Sequence, residues 1–241
     1  MIKKFLMTPG PTQIPSEVLL ASAQPIIHHR TGAYSDLFAR VNENLKYVYQ
    51  TSNEVISFAS SGTGAMESAV VNLCSPGDKV LIASCGKFGE RWRDLSQVYG
   101  LDYDYREYEW GTPVVPGDIG QALADDSAIK VVFVTHSETS TGVVNDMQAI
   151  GAAVAGSDAV LVSDSISGMG SAELKTDAWG IDVVVSGSQK ALMIPPGLAF
   201  VSVSAKAWGH VEKSTLPKYY FDWTKARKAL TQDKPTTAFT P

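Results

Sequence analysis

The sequence has little cysteine, with two thiols, Cys74 and Cys85, among 241 residues. Two thiols cannot build the disulfide framework of a small secreted domain, and no metal-ligand spacing surrounds them, so we expect no metal site. Charges or glycines break every apolar run well short of the about 20 residues that a membrane span needs. The proline-rich start has too short an apolar stretch for a secretory signal. These absences predict a reduced, cytoplasmic protein.

Positive charge is also scarce. The net charge of −5 and the pI of about 5.4 disfavour nucleic acids and anionic membranes as partners. An apolar fraction of 44% and a charged fraction of 19% are ordinary for a globular protein. The length allows one large domain, or one domain and part of another.

Strand and helix patterns alternate along most of the chain. The runs VVFVT, AVLVS and DVVVS are apolar without polar alternation, which is typical of parallel strands covered by helices on both faces. We therefore predict an α/β fold with a mostly parallel sheet. Strands are expected at 55–59, 79–83, 102–106, 130–135, 159–163, 183–186 and 198–203. Helices are expected from an N-cap at Ser16 to Ala23 and at 33–49, 64–74, 90–99, 118–124 and 146–155.

Ligands of such sheets bind beyond the carboxyl ends of the strands, so the segments that follow the strands are candidates for chemistry. SSGTGAMES, residues 60–68, follows a strand and opens a helix, where glycines and free amides suit a phosphate. A tight strand-to-helix turn without a ligand is an alternative interpretation of the same residues. The polar run 135–141 needs hydrogen-bond partners, which a bound ligand or a capped loop would supply.

Two charged residues stand at strand ends. Asp164 comes directly after a core strand, where a carboxylate is either paired with a ligand or caps a neighbouring turn. Lys190 lies between two apolar segments. Burial lowers the pKa of a lysine and makes its amine a nucleophile, whereas a lysine that reaches solvent along its stem has no such role. Together, the cradle, the polar loop, the acid and the amine suit a phosphorylated pyridine aldehyde, with the acid at the ring nitrogen.

These motifs resemble a known family. The ordered segments SGTGAMES, GKFGERW, HSETSTG, DSISGMG and SGSQKALMIPPG are similar to class V, fold-type I aminotransferases that depend on pyridoxal 5′-phosphate (PLP). The alanine–glyoxylate and serine–pyruvate aminotransferases resemble the chain most, over essentially its whole length. The resemblance implies the large domain of that fold, a mixed, mostly parallel seven-stranded sheet with helices on both faces.

The resemblance also assigns roles. Lys190 would be the Schiff-base lysine and proton carrier, and Asp164 would pair with the pyridinium nitrogen. Phe88, where relatives often have Trp, would stack on the ring opposite Ile166, and Gly10 would line the substrate side. The other implied cofactor contacts are Thr63, Gly64, Ala65 and Gln189 at the phosphate, Thr139 at the ring hydroxyl, and Thr237 and Thr240 at the phosphate of a neighbouring subunit.

The family pattern further implies domains and partners. Residues 1–20 would form an N-terminal arm, 21–230 the PLP-binding domain, and 231–241 the start of a linker to a C-terminal domain that the chain lacks. That domain would supply the arginine for the substrate carboxylate, and it could belong to a separate chain. The resemblance implies a homodimer with the site at the interface, near His29 and Arg30.

Three functions compete on these grounds. The first is an aminotransferase that moves nitrogen from alanine or serine to glyoxylate or pyruvate. The second is a class V lyase of the cysteine desulfurase kind, although neither cysteine is placed on an expected mobile loop. The third is a PLP-binding or subunit-like protein without turnover, because hydrogenase-associated subunits also resemble the sequence.

Overall fold

The structure, a computed structural model, describes residues 5–239, so that Thr240 lies outside the described residues. Eight helices and nine strands occur in this range. The helices are α1 Ser16–Ser22, α2 Gly32–Tyr49, α3 Gly62–Leu73, α4 Lys87–Val98, α5 Pro116–Asp125, α6 Met147–Val154, α7 Ala205–Val211 and α8 Trp223–Thr231. The strands are β1 Val55–Ala59, β2 Lys79–Ser84, β3 Asp102–Glu107, β4 Ile129–Thr135, β5 Ser137–Glu138, β6 Val143–Val144, β7 Val160–Asp164, β8 Val183–Gly187 and β9 Leu198–Val203.

The main sheet has seven strands in the order β1-β9-β8-β7-β4-β2-β3. The neighbours from β8 through β3 are parallel, whereas β9 is antiparallel to both β8 and β1. The expected mixed, mostly parallel sheet of seven strands is confirmed. Because the parallel strands end at one edge, the segments after β4, β7 and β8 meet there.

Each face of the sheet has its own apolar core. Side chains of a strand alternate between faces, so Val80 and Ile82 join one cluster and Leu81 and Ala83 the other. The first cluster packs against α3, α4, α7 and α8, and the second against α2, α5 and α6. Helices therefore cover both faces, which explains why strands such as β7 contain no exposed residue.

Several predicted boundaries were wrong. Ser16 is the first residue of α1 rather than its N-cap, because the carbonyl of Pro15 accepts the first helical bonds, from Val18 and Leu19. The helix expected from residue 64 begins at Gly62, where Ser61 is the N-cap. Asp164 is the last residue of β7 rather than the residue after it.

The polar run 135–141 is not an open loop. It ends β4 and continues into a short hairpin, in which Ser137–Glu138 pairs with Val143–Val144. Two residues per strand are too few for a periodicity to show, so this hairpin was not predicted.

The N-terminal arm lies against the segment that follows β8. The Thr12 amide donates to the carbonyl of Gln189 at 3.0 Å, and the Thr12 hydroxyl donates to the carbonyl of Lys190 at 2.8 Å. Gly10 lies so close to Lys190 that an added Cβ would stand 2.3 Å from the lysine Cδ. Only glycine leaves the lysine side chain in this place.

Candidate functional site

Asp164 and Lys190 lie at the carboxyl edge of the main sheet. Asp164 ends β7, and Lys190 follows the neighbouring parallel strand β8 by three residues. Their charges are close enough that each shifts the pKa of the other. The fold thus places an acid and an amine, 26 positions apart in sequence, at one edge, as the sequence patterns predict.

The carboxyl of Asp164 is 2% exposed and accepts one hydrogen bond, from the amide of Ile166 to Oδ1 at 2.9 Å. No partner for Oδ2 is recorded within the described part of the chain. Burial is the largest influence and raises the pKa of this carboxyl to about 7. A cationic partner at Oδ2 would offset the free-energy cost of burying the ionised carboxylate. The environment is therefore suited to a positively charged ring nitrogen.

The amine of Lys190 is half-buried. Desolvation lowers its pKa from the ordinary value, and the nearby positive charge of Arg91 lowers it further, against the opposing effect of Asp164. A larger fraction of this amine is therefore unprotonated at neutral pH than for a lysine in water. That is the state in which an amine attacks a carbonyl carbon.

Helix α3 starts with amides that have no partner. The amides of Gly64 and Ala65 bond to the Ser61 carbonyl at 2.9 and 3.3 Å, inside the first turn. Those of Gly62 and Thr63 donate to no backbone or side-chain oxygen anywhere in residues 5–239. Free amides at a helix N-terminus attract a phosphate, so the first two residues of α3 are better placed for main-chain contacts than the next two.

The Gln189 amide lies against this helix start. Its Oε1 is buried without a hydrogen-bond partner among residues 5–239, 3.0 Å from where a Cβ on Gly187 would be. The same Cβ would stand 3.4 Å from the Gly62 nitrogen. A half-turn of the side-chain amide exchanges its oxygen and nitrogen, so Gln189 can present a donor there. An orphaned polar atom beside free amides, in space that a Cβ would fill, fits a phosphate group.

Ile166 packs over the start of α3 and is 8% exposed. A Cβ on Gly62 would stand 2.5 Å from the Ile166 Cδ1. The apolar side chain and the glycine therefore pack as a pair, directly beside the acid at Asp164.

Phe88 lies in the first turn of α4, and a buried carboxylate fixes this turn. Glu138, on β5, is fully buried and accepts bonds from the amides of Phe88 and Gly89, each at 3.1 Å to Oε2. The Ser140 hydroxyl also donates to Glu138, at 2.6 Å. A carboxylate at a helix N-terminus is stabilised by the free amides and the helix dipole. This contact explains why α4 begins at Lys87, three residues before the expected start.

Sequence reasoning missed Glu138 and Arg91, since neither had a motif of its own. Arg91 donates to the Thr63 hydroxyl at 2.9 Å, and its Cζ lies 4.7 Å from the centre of the Phe88 ring. Phe88 lies outside the helix expected at 90–99, so the spacing of three between Phe88 and Arg91 did not indicate this pair. The partner of Glu138 lies about 50 positions away, which no local pattern reveals.

The remaining predicted residues fall in three places. The Thr139 hydroxyl is already bonded to the Ser167 hydroxyl at 2.6 Å. Gly10 is against Lys190, as described above. Thr237 lines an apolar groove of about 510 Å³ together with Phe58, Tyr220 and Phe239, and its buried hydroxyl has no partner in the described chain.

An amine, a buried acid and a phosphate cradle on a seven-stranded mixed sheet define a PLP-dependent protein of fold-type I. The comparisons with known proteins narrow this class. The model of the family "Aminotransferase class-V" matches residues 4–238. The chain therefore belongs to the class-V aminotransferase family, and the cofactor that the family implies is PLP.

Individual relatives agree. The chain is 48% identical to the soluble hydrogenase 42 kDa subunit of Anabaena cylindrica. The alignment has 242 residues and covers 99% of this chain and 63% of the relative. The chain is 42% identical to L-aspartate–glyoxylate aminotransferase of Paracoccus denitrificans, over 90% of this chain and 56% of the relative. Its sequence is 34% identical to that of the aspartate aminotransferase of subgroup IV from Thermus thermophilus, whose crystal structure is known. The two structures superpose with a TM-score of 0.90, over 99% of this chain and 66% of the other.

The chain spans less than two thirds of the length of the curated relatives that it matches, for example 63% and 62%. Among residues 5–239, no helix is both long and apolar enough to cross a membrane.

Proposed function

We propose that this chain is the cofactor-binding part of a PLP-dependent aminotransferase that moves an amino group from alanine or serine to glyoxylate or pyruvate. The observation that carries the proposal is the half-buried amine of Lys190 beside the buried carboxyl of Asp164, with opposite pKa shifts. Names among the relatives support the substrate class, since they include L-aspartate–glyoxylate and serine–glyoxylate aminotransferases.

The described residues would hold PLP at every part of the molecule. Lys190 would hold the aldehyde carbon and Asp164 the ring nitrogen. Phe88 and Ile166 would cover the ring faces, and Thr139 would reach the ring hydroxyl. The phosphate would be bound by Thr63, Gln189 and the first amides of α3, including those of Gly64 and Ala65 once they leave the Ser61 carbonyl.

When bound, PLP supplies an electron sink for the pair left by a broken Cα–H bond. Asp164 would contribute a negative charge from a buried position, where it would keep a proton on a ring nitrogen more strongly than an exposed acid. Lys190 would contribute a base at Nζ, because burial lowers its pKa and so makes the neutral amine easier to reach than in an exposed lysine. Gly10 leaves room for the lysine side chain on the substrate side.

The assembly is proposed to be a cytoplasmic homodimer with residues 1–20 as an arm, 21–230 as the cofactor domain and 231–241 as the start of a linker. Thr237 and Thr240 would contact the phosphate of the partner subunit. The Thr237 hydroxyl has no hydrogen-bond partner among residues 5–239, but it is buried and would have to become exposed for such a contact. His29 and Arg30 would lie near the interface. A further segment, or a separate chain, would supply the arginine for the substrate carboxylate.

The test is covalent capture of the cofactor. The purified protein with PLP should absorb near the edge of the visible range, and borohydride should bleach the band and leave the cofactor on the peptide that contains Lys190. Lys190→Ala should abolish this attachment, whereas Lys228→Ala, which removes an exposed lysine, should leave it unchanged. Attachment at another lysine, such as Lys206, or no uptake of PLP at all, would overturn the proposal.

A second candidate is a PLP-binding subunit without turnover. It is favoured by the names of two relatives, a soluble hydrogenase 42 kDa subunit and a soluble hydrogenase small subunit, at 48% and 47% identity. The two candidates differ in a half-reaction. An aminotransferase with PLP changes its spectrum to that of the amine form when L-alanine, L-serine or L-aspartate is added. A spectrum that no amino acid changes favours the subunit.

The desulfurase alternative is less suited to the described residues. Such enzymes need a reactive thiolate, but Cys74 and Cys85 are 0% and 1% exposed. Burial raises the pKa of both thiols, which keeps them protonated.

A further inference from the structure

Arg91 is a half-buried cation at the candidate site without a carboxylate partner. Three other arginines, Arg93, Arg106 and Arg227, lie within 4 Å of a carboxylate oxygen. No such ion pair includes Arg91 in the part of the chain that the structure describes. A guanidinium in this setting normally has a partner of its own, so the contacts that it does make deserve a functional explanation.

Those contacts join two elements of the site. Arg91 Nη1 donates to the Thr63 hydroxyl at 2.9 Å, across from α4 to the first turn of α3. Its Cζ lies 4.7 Å from the centre of the Phe88 ring, one turn earlier on α4. One side chain therefore contacts both a hydroxyl at the phosphate cradle and the aromatic ring expected over the pyridine.

The hydrogen bond determines what the Thr63 hydroxyl can do. A hydroxyl offers one proton and two lone pairs, and the guanidinium occupies a lone pair. No acceptor for the hydroxyl proton is recorded among the residues that the structure covers, so the proton is free for an anion. A donor that is itself hydrogen-bonded to a cation donates more strongly.

The stacking contact restricts the Phe88 ring. A guanidinium within about 6 Å of a ring centre is attracted to the face of that ring. Glu138 holds the backbone of Phe88 from the other side of the turn, through its amide. Backbone and side chain of Phe88 are thus fixed by two separate charged groups.

We propose that Arg91 is a positioning residue for PLP, acting through Thr63 on the phosphate and through Phe88 on the ring. The inference rests on the proposed function, since it presumes that PLP binds at this site. It assigns Arg91 no direct contact with the phosphate, and this distinguishes it from an ordinary anion-binding arginine.

A double-mutant cycle tests the coupling, with dissociation constants of PLP and of pyridoxal, which lacks the phosphate, as readouts. The variants are Arg91→Met, Thr63→Val and the two combined. Each single variant should weaken PLP binding by about tenfold, the usual effect of losing a charge-assisted hydrogen bond. Pyridoxal binding should change far less. The preference for PLP over pyridoxal should fall in the combined variant by no more than about twofold beyond either single variant, because both remove the same Arg91–Thr63 contact, whereas the Phe88 contact acts on the ring that both ligands share.

Two results would overturn the inference. Losses of the preference for PLP over pyridoxal that multiply in the combined variant would mean that Arg91 contacts the phosphate itself. Equal affinity of wild type and Arg91→Met for PLP would mean that Arg91 does nothing for binding. If the wild type takes up no PLP, the proposed function fails instead, and the two failures are therefore distinguishable.

Controls separate positioning from general damage. Arg93→Met removes a neighbouring arginine that pairs with Asp94 and lies over the Tyr105 ring, and it should leave both dissociation constants unchanged. Arg91→Lys keeps a cationic donor and should restore part of the preference for PLP over pyridoxal. If Arg91→Met does not fold, Arg91→Lys and Thr63→Val still test the inference. A preference for PLP over pyridoxal that equals the wild-type preference in both variants would contradict it.

Discussion

Burial of the Asp164 carboxyl predicts a cost to stability that is independent of catalysis. The group is 2% exposed, and burial raises its pKa from 3.8 to about 7. An acid with a raised pKa holds its proton more tightly in the folded state, so the free energy of unfolding falls as the pH rises from about 4 to about 7. One pKa unit corresponds to about 1.4 kcal/mol, so the cost is about 4 kcal/mol at pH 8 and about 1.7 kcal/mol at pH 5.

Asp164→Asn removes this cost and keeps an oxygen for the Ile166 amide. Without cofactor, the variant should be more stable than wild type at pH 8 by up to about 4 kcal/mol, and the difference should shrink by about 2–3 kcal/mol at pH 5. Urea unfolding, followed by far-ultraviolet circular dichroism at several pH values, measures both. Titrating groups that do not interact with Asp164 cancel in the difference between the two proteins.

The reasoning is refuted if the variant is less stable at pH 8, or if the difference does not depend on pH. Asp177 provides a control of opposite sign, because burial raises the pKa of its carboxyl less than the hydrogen bonds from Thr51, Ser52 and Asn53 together lower it. Such a group stabilises the fold above its unfolded pKa and loses this effect as the pH falls through its folded pKa. Asp177→Asn should therefore destabilise the protein at pH 8, and less so in acid.

Three further predictions concern the cradle, the turn before α4 and the amine. Gly64→Ala should lower the free energy of unfolding by about 1–3 kcal/mol, because its Cβ would stand 1.9 Å from the Ser60 hydroxyl, whereas Gly117→Ala has open space and should be tolerated in the same thermal melt. Glu138→Gln should cost about 1–3 kcal/mol and weaken PLP binding, and wild-type values in both assays would contradict the capping role. The rate of borohydride-trapped PLP attachment at Lys190 should rise with pH to a midpoint below 10.5, and a midpoint at or above that value would contradict the lowered pKa.

The strands of the sheet were predicted well because a strand that is buried on both faces is a continuous apolar run, which the local sequence shows directly. The expected strands at 55–59 and 198–203 match β1 and β9 at both ends. Boundaries failed where a distant group decides them. The start of α4 depends on Glu138, and the short hairpin at Ser137–Glu138 depends on a pairing that two residues cannot signal.

The candidate site was predictable to the extent that strand ends converge on one edge. Asp164 and Lys190 are close because β7 and β8 are parallel neighbours. The apolar runs predict parallel strands that end at one edge, but they do not predict the order of the strands. Arg91 and Glu138 act through contacts with residues 28 and 50 positions away, which only the folded chain brings together. The roles of the site residues toward PLP stay predictions until the capture and binding experiments are done.

The bond between Thr12 and the carbonyl of Lys190 spans 178 positions and sets an order of events during synthesis. At about 5–20 residues per second on the ribosome, residue 190 is made roughly 9–36 seconds after residue 12. The arm can make this contact only after residue 190 has been synthesised. The proposed attachment of PLP at Lys190 therefore follows translation of most of the chain.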